Sequence, residues 1–266
     1  VRSVRPDTGG FPILSAGTSS TDHSSPISER WGGWYVTGEN GGERHMGNLL
    51  YEEEERGSAT IVRDHSAVKN LDRVINTSPY LSNTSDMVAL MVLEHQLTVH
   101  NALTSARLNT LRWLHYDATL SDHLKRSDEP LREQTLKLIN GEAERLLKVM
   151  FFKDEFTLES WGVEGGEPFQ EAFLAKAPRT AKGRSLKDFE LLSRLFRHRF
   201  SYMVYSRSFD YLPEPFKEVF YEKLLTALSG EHVGIDNLSA KERSRILAIL
   251  LETKPEFAAH HDKDPE

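Results

Sequence analysis

The sequence predicts a mainly α protein: a helical bundle of five or more helices carrying an irregular, Gly/Trp-rich N-terminal arm with a small hairpin. Three observations carry that expectation. First, from Pro79 onward apolar residues recur at three- and four-residue spacing, the period of one helix face. Second, more than half of the 17 glycines fall before residue 49, among short pieces such as Phe11-Pro12-Ile13-Leu14 and Trp34-Tyr35-Val36-Thr37. Gly there permits positive φ, and Asn and Ser close turns through their side chains. Third, 266 residues of which 38% are hydrophobic are enough for a sizeable core. The expected organisation is an arm over 1–78 that packs on the bundle, a helical domain over 79–257 and a disordered tail over 258–266.

The elements follow in order. Tyr51 to Gly57, with Glu at 52, 53, 54 and 55, concentrates like charge and reads as a solvated linker. Ser85 or Asp86 can accept the free amides of a first turn, and no Gly or Pro interrupts the chain from there to about His115. That predicts a helix of roughly 30 residues, about 45 Å long. Pro130 opens a second helix carrying Leu131, Leu138, Leu146, Leu147, Met150 and Phe151, with Gly141 as a weak point. The spacing of Leu186, Phe189, Leu192, Leu195 and Phe196 predicts a third from Ser185 to about Arg199. Pro213 and Pro215 precede a fourth, from Phe216 to Leu228, closed by Gly230. Ser239 with Glu242 is a capping box for a last helix, which Pro255 stops.

Composition narrows the chemistry. The chain has no cysteine, which removes disulfides, thiolate metal sites, thiol nucleophiles and covalent haem attachment within these residues. A net charge of -7 supplies no global positive field, so a nucleic-acid partner is not expected. The longest apolar run, Met87 to Leu93, falls far short of the roughly 20 residues of a membrane span, so no transmembrane segment is expected. Val1-Arg2-Ser3-Val4 has neither an initiator Met nor the features of a signal sequence. No G-x-S-x-G elbow, H-E-x-x-H, P-loop or EF-hand pattern occurs.

Two clusters could carry function. The first joins Thr21-Asp22-His23, Glu29-Arg30-Trp31-Gly32-Gly33-Trp34 and Arg44-His45-Met46 on a Gly-rich framework. Trp31 and Trp34 suit the apolar walls of a site for a flat ligand, Arg30 or Arg44 suits its carboxylates, and His23, His45 and Met46 are possible iron ligands. Equally, the two Trp residues can simply anchor a loose arm. The second cluster lies on the long helix: Glu94, His95 and His100, a candidate metal set if joined by a His of the arm. His95 and His100 stand about 140° apart around a helix, so they do not chelate one ion as i, i+4 pairs do. The alternative there is an internal hydrogen-bond network tying helix to arm. Arg197-His198-Arg199, with Tyr202, Tyr205 and Asp210, reads as surface charge and core aromatics.

Several segments resemble a family of exported bacterial c-type cytochrome-like proteins found in planctomycete-type genomes. They are Thr21-Asp22-His23-Ser24-Ser25-Pro26, Arg30-Trp31-Gly32-Gly33-Trp34-Tyr35-Val36-Thr37-Gly38, Arg44-His45-Met46-Gly47-Asn48, Glu94-His95-Gln96 with His100-Asn101, Gly183 to Phe189, and Ser201 to Ser206. The resemblance spans most of residues 1–257. It implies a haem-linked electron-transfer or redox domain, periplasmic or otherwise exported. Its haem would come from a C-x-x-C-H segment upstream of Val1 or bind non-covalently, and its partner would be that cytochrome segment or another redox protein. On that implication His23, His45, Met46 or His95 would approach iron, Trp31 and Trp34 would pack on the porphyrin, and Arg30 would meet a propionate. Two other readings stand beside it: a haem-free, non-catalytic helical interaction module, whose clusters are saturated internally and leave no pocket, and a metal-dependent enzyme using Glu94, His95 and His100.

Overall fold

The structure is a computed structural model in which residues 21–31, 34–39, 41–42, 44–53, 59–64, 68–124, 130–158 and 162–263 are described. The protein is mainly helical, as its sequence predicts. A hairpin of β1 (Leu49–Glu53) and β2 (Ala59–Asp64) comes first. Then follow α1 (Met87–His123), α2 (Glu133–Met150), α3 (Glu167–Ala175), the single turn α4 (Arg207–Asp210), α5 (Glu214–Ser229), α6 (Ala240–Thr253) and α7 (Pro255–His261). Among the described residues no helix is long and apolar enough to cross a membrane.

Two compact units interleave along the chain. The first comprises the described residues of Val1–His95, Asp154–Lys176 and Phe189–Arg197, and the second those of Gln96–Lys153, Ala177–Asp188 and His198–Glu266. The expected boundary at 78/79 therefore differs from the observed grouping, because the opening of α1 is woven into the arm. Thr37 donates its amide to Ser85 O (2.8 Å), and Met87 donates to Thr37 O (3.0 Å). Asp86 caps α1 by accepting the Ala89 amide at 2.8 Å, and it also accepts the Gly166 amide.

In the first unit, residues 156–158 and 162–164 act as a strap whose backbone pairs with two other segments. Phe156 donates to His23 O (2.9 Å), Leu158 to Ser193 O (3.0 Å) and Val163 to Leu191 O (2.8 Å). Gly162 sits at φ +69°, where an added Cβ would lie 2.1 Å from Leu191 O, so only glycine lets the strap lie this close. Helix α3, absent from the sequence-based expectation, presents Phe169 and Phe173 one turn apart. Phe173 meets Phe189 and Phe196 at ring-centroid distances of 5.3 and 6.1 Å.

Three expectations need correction. The predicted helix 185–199 is a turn and a tight bend, with an antiparallel bridge between Phe189 and Phe196. Glu190 is the reason: one carboxylate oxygen accepts the amides of Leu192, Ser193 and Arg194 at 3.2, 2.8 and 3.0 Å, so these donors are spent locally instead of in a helical ladder. The stretch taken as a charged linker contributes Tyr51 to Glu53 to β1, opposite Ile61, Thr60 and Ala59, with a bulge between Leu50 and Tyr51. β-Branched partners favour the strand despite the charge, and residues 54–57 lie outside the described residues. The small hairpin thus falls at the end of the arm, and the Phe11–Leu14 piece lies outside the described residues. Finally, α7 runs through His261 with Phe257 buried, so residues 258–261 are helical where disorder was expected, and 264–266 lie outside the described residues.

In the second unit, α2 buries Ile139, Ala143, Leu146, Leu147 and Met150, and packs against α5, which buries Phe216, Phe220, Leu224 and Leu228. Gly230 closes α5 in the left-handed region at φ 96°, the place for glycine at a helix end. Ser239 caps α6 by accepting the Glu242 amide at 3.2 Å, and Phe257 of α7 meets Tyr221 of α5 at 5.6 Å. Buried Asp117 on α1 accepts from Thr135 (2.6 Å) and Arg132 (2.9 Å) at the start of α2.

Candidate functional site

The first unit gathers most of the predicted site residues into one buried polar cluster. Glu94 and His95 come from α1, and His23, Arg30, Trp31 and His45 from the arm. Arg30 is 3% exposed. Its Nε donates to Ser25 O at 2.7 Å, Nη2 to His23 O at 3.2 Å and Nη1 to Glu94 Oε2 at 3.2 Å. A fork of fixed donors matches two carbonyls and a carboxylate at once, which a lysine ammonium does not. The same guanidinium lies 5.9 Å from the centroid of the Trp31 ring.

Imidazoles line the rest. The His95 ring meets His23 at 6.4 Å and Phe196 at 6.0 Å, both edge to face, and His45 meets Trp31 at 6.1 Å. His95 and His45 are both 0% exposed. None of His23, Arg30, His45, Glu94 and His95 is without a partner.

Local sequence explains how an irregular arm reaches this precision. Asp22 Oδ1 accepts the Ser24 amide (2.9 Å) and hydroxyl (2.7 Å), closing the turn that exposes the His23 carbonyl to Arg30. Asn48 stands in for a strand partner: its Oδ1 accepts the Val36 amide at 2.7 Å and its Nδ2 donates to Val36 O at 2.8 Å. Gly47 lets this loop close on the Trp31–Trp34 turn, since a Cβ there would lie 1.7 Å from Trp34 O.

Burial governs the electrostatics. It pushes the Glu94 carboxyl up to about 7, against the opposing pull of the Arg30 charge and of bonds from Trp31 and Arg30. Burial pushes His95 down to about 3, with the His23 charge acting in the same direction, so His95 is neutral at physiological pH. Burial also raises Asp22, but the Ser24 bonds and the His23 and Arg30 charges outweigh it and hold that carboxyl below its usual value.

Three predicted residues stand apart from the cluster's interior. Trp34 is 61% exposed and Met46 is half-buried. His100 is exposed and belongs to the second unit, where its Nδ1 lies 3.2 Å from Ser208 Oγ. Glu94, His95 and His100 therefore do not converge. Among the described residues no group of three or more His, Cys, Asp or Glu is arranged to hold a metal ion. Haem meets a steric objection as well. A side chain lining an empty porphyrin slot is touched by a water-sized probe, yet His45 and His95 have no accessible surface. His45 and His95 therefore line no open slot among the described residues.

Sequence reasoning missed Phe196 and the Phe156 amide, which close the cluster from segments far along the chain. Their only signal is ordinary aromatic content, because the contact is tertiary.

The fold and the cluster define a mainly helical protein whose arm is locked to a helix by a buried Arg–Glu–His network. Comparison of the chain with protein-family models, with curated proteins and with solved structures finds no match.

Proposed function

We propose that this chain is a non-catalytic helical module of an exported, haem-linked redox protein, one that positions a haem-carrying partner and does not enclose a haem among its own side chains. The resemblance of its Arg30–Gly38 and Arg44–Asn48 segments to c-type cytochrome-like proteins supplies the haem link. The observation that carries the modular reading is the closure of the cluster: Arg30 is 3% exposed, His45 and His95 are 0% exposed, and every polar member has an internal partner. A catalytic site needs reacting groups that a substrate can reach, whereas Arg30, His45 and His95 are buried and partnered within the chain. The electron-transfer chemistry belongs to the partner's haem; the Arg30–Glu94 pair and its imidazoles hold the arm in one register.

Two measurements test the proposal. Haemin titrated into the purified chain leaves the Soret band of free haemin unchanged; a stoichiometric shift, lost on His95→Phe or His45→Phe, overturns the modular reading. In periplasmic extracts of a species carrying this sequence, chemical cross-linking followed by peroxidase haem staining places haem in the species that contains these peptides. A haem-free species in both soluble and cross-linked fractions overturns the haem link.

A further inference from the structure

The second unit holds a surface independent of the buried cluster. Helix α1 buries Val99, Leu103, Ala106, Thr110 and Asp117 along one side. Its opposite side carries Leu97, Asn101, Thr104, Leu108, Leu111, His115 and Ala118, spaced alternately by four and three residues, the a/d pattern of a coiled-coil seam. Leu97, Leu108 and Leu111 are 52%, 58% and 41% exposed. A helix of a globular protein ordinarily turns its Leu row inward and leaves polar residues outside. Here three exposed leucines and Ala118, interrupted by Asn101, Thr104 and His115, lie along a solvent-facing row of three heptads, about 32 Å.

Charge selects the occupant. Arg107 precedes the seam position Leu108, and Arg112 follows Leu111, so the two guanidiniums flank the seam on opposite sides. Arg107 Nε donates to Tyr211 O at 3.1 Å and Arg112 Nη2 to Asn109 Oδ1 at 3.2 Å, and neither meets a carboxylate among the described residues. In a parallel pair of identical helices, Arg107 of one faces Arg112 of the other; in an antiparallel pair each faces its own copy. Both arrangements oppose like charges, which disfavours self-association. A helix with acidic flanks meets two unpaired cations instead. Beside the seam, an open cavity of about 320 Å³ is lined by Leu103, Thr104, Arg107, Leu108, Ser208 and Tyr211. Such a cavity accepts one apolar anchor side chain, the feature that concentrates binding energy at an interface.

We infer that the outer face of α1 is a docking surface for an acidic amphipathic helix of a partner protein, seated with its apolar row on Leu97, Leu108 and Leu111 and its carboxylates on Arg107 and Arg112.

Fluorescence anisotropy with two labelled 21-residue peptides tests it on the full chain. Both peptides carry Leu at every a and d position; one carries Glu and the other Lys at every e and g position. The Glu peptide binds about tenfold more tightly than the Lys peptide at low salt, and the difference shrinks as salt screens the pairs. Leu108→Glu with Leu111→Glu abolishes binding of the Glu peptide while far-UV circular dichroism stays unchanged, since both residues are exposed. Arg107→Glu with Arg112→Glu reverses the preference. Equal binding of the two peptides, binding of neither, or indifference to the Leu108/Leu111 pair overturns the inference. So does sedimentation of the wild type as a dimer that the same pair dissolves, which would make the occupant a second copy.

Discussion

Replacing Glu94 with Gln separates two proton-linked contributions to stability that cancel in the wild-type chain. Glu94 rises from 4.5 to about 7 on folding, so between those values the folded protein keeps a proton that the unfolded chain has released. That contribution is complete at low pH and is lost as pH climbs toward 7. His95 falls from 6.5 to about 3, so the unfolded chain takes up a proton that the folded protein refuses. Its contribution is complete above pH 6.5 and is lost as pH drops. Each slope is about 1.4 kcal/mol per pH unit, and they have opposite signs across the window from pH 4.5 to 6.5. The wild type is therefore nearly flat there as far as these two groups are concerned. Glu94→Gln removes one slope and leaves the other, so the variant gains about 3 kcal/mol relative to wild type between pH 4.5 and 6.5. Replacement of the carboxyl acceptor opposite Arg30 by an amide moves the whole variant curve without imposing that slope. Urea unfolding followed by circular dichroism at pH 4.5, 5.5 and 6.5, at fixed ionic strength, reads the difference. Parallel profiles for the two proteins would refute the reasoning, since they would mean that Glu94 is already ionised throughout the window.

Other substitutions test the supports of the cluster and of the second unit. Arg30→Met strands Glu94 and two carbonyls and costs about 3–5 kcal/mol, read as a fall in melting temperature; Arg30→Lys restores little, because one ammonium does not span all three acceptors. Gly47→Ala forces a methyl into the Trp31–Trp34 turn and destabilises the first unit by about 3 kcal/mol, with a red shift of tryptophan emission as Trp31 is exposed. Ser239→Ala removes the α6 cap for about 1 kcal/mol, measured by the same unfolding experiment and additive with Gly47→Ala, because the two sites lie in different units.

The legible parts of the sequence were those governed by local chemistry. Asp86 before an unbroken run, Pro215 ahead of Phe216, Gly230 after Leu228 and Ser239 three residues before Glu242 each fix a helix end through their own hydrogen bonds or backbone preference, and α1, α5 and α6 lie where these signals put them. Periodicity failed at 185–199, where apolar spacing satisfied a helix while Glu190 captured three amides and Phe196 turned back on Phe189. A pattern of side chains reports which face is apolar; it does not report where a carboxylate will spend its acceptors. The cluster was half legible for the same reason. Its members were readable as a dense group of polar residues and Trp on the arm and a Glu–His pair on a helix, whereas their juxtaposition depends on a strap 60 residues further on, for which no local signal exists.

That division bears on why an ionisable pair is buried in the first unit at all. An apolar substitute of equal volume often serves stability as well as or better than a buried ion pair. The arm, however, has little regular structure to set its register against α1: at the helix opening Thr37 donates its amide to Ser85 O, accepts the Met87 amide on its carbonyl and accepts the Ser85 amide on its hydroxyl. Apolar contact alone tolerates sliding, because one methyl replaces another at little cost. Arg30 does not, since a shift of one residue removes the carbonyls of His23 and Ser25 and the Glu94 carboxylate from its fork together, leaving a charge buried without partners. The same argument covers His95, whose neutral ring is held in an apolar corner by His23 and Phe196. The cluster therefore discriminates between registers more sharply than it adds stability, which is the property the proposed role of presenting a fixed surface to a partner would require.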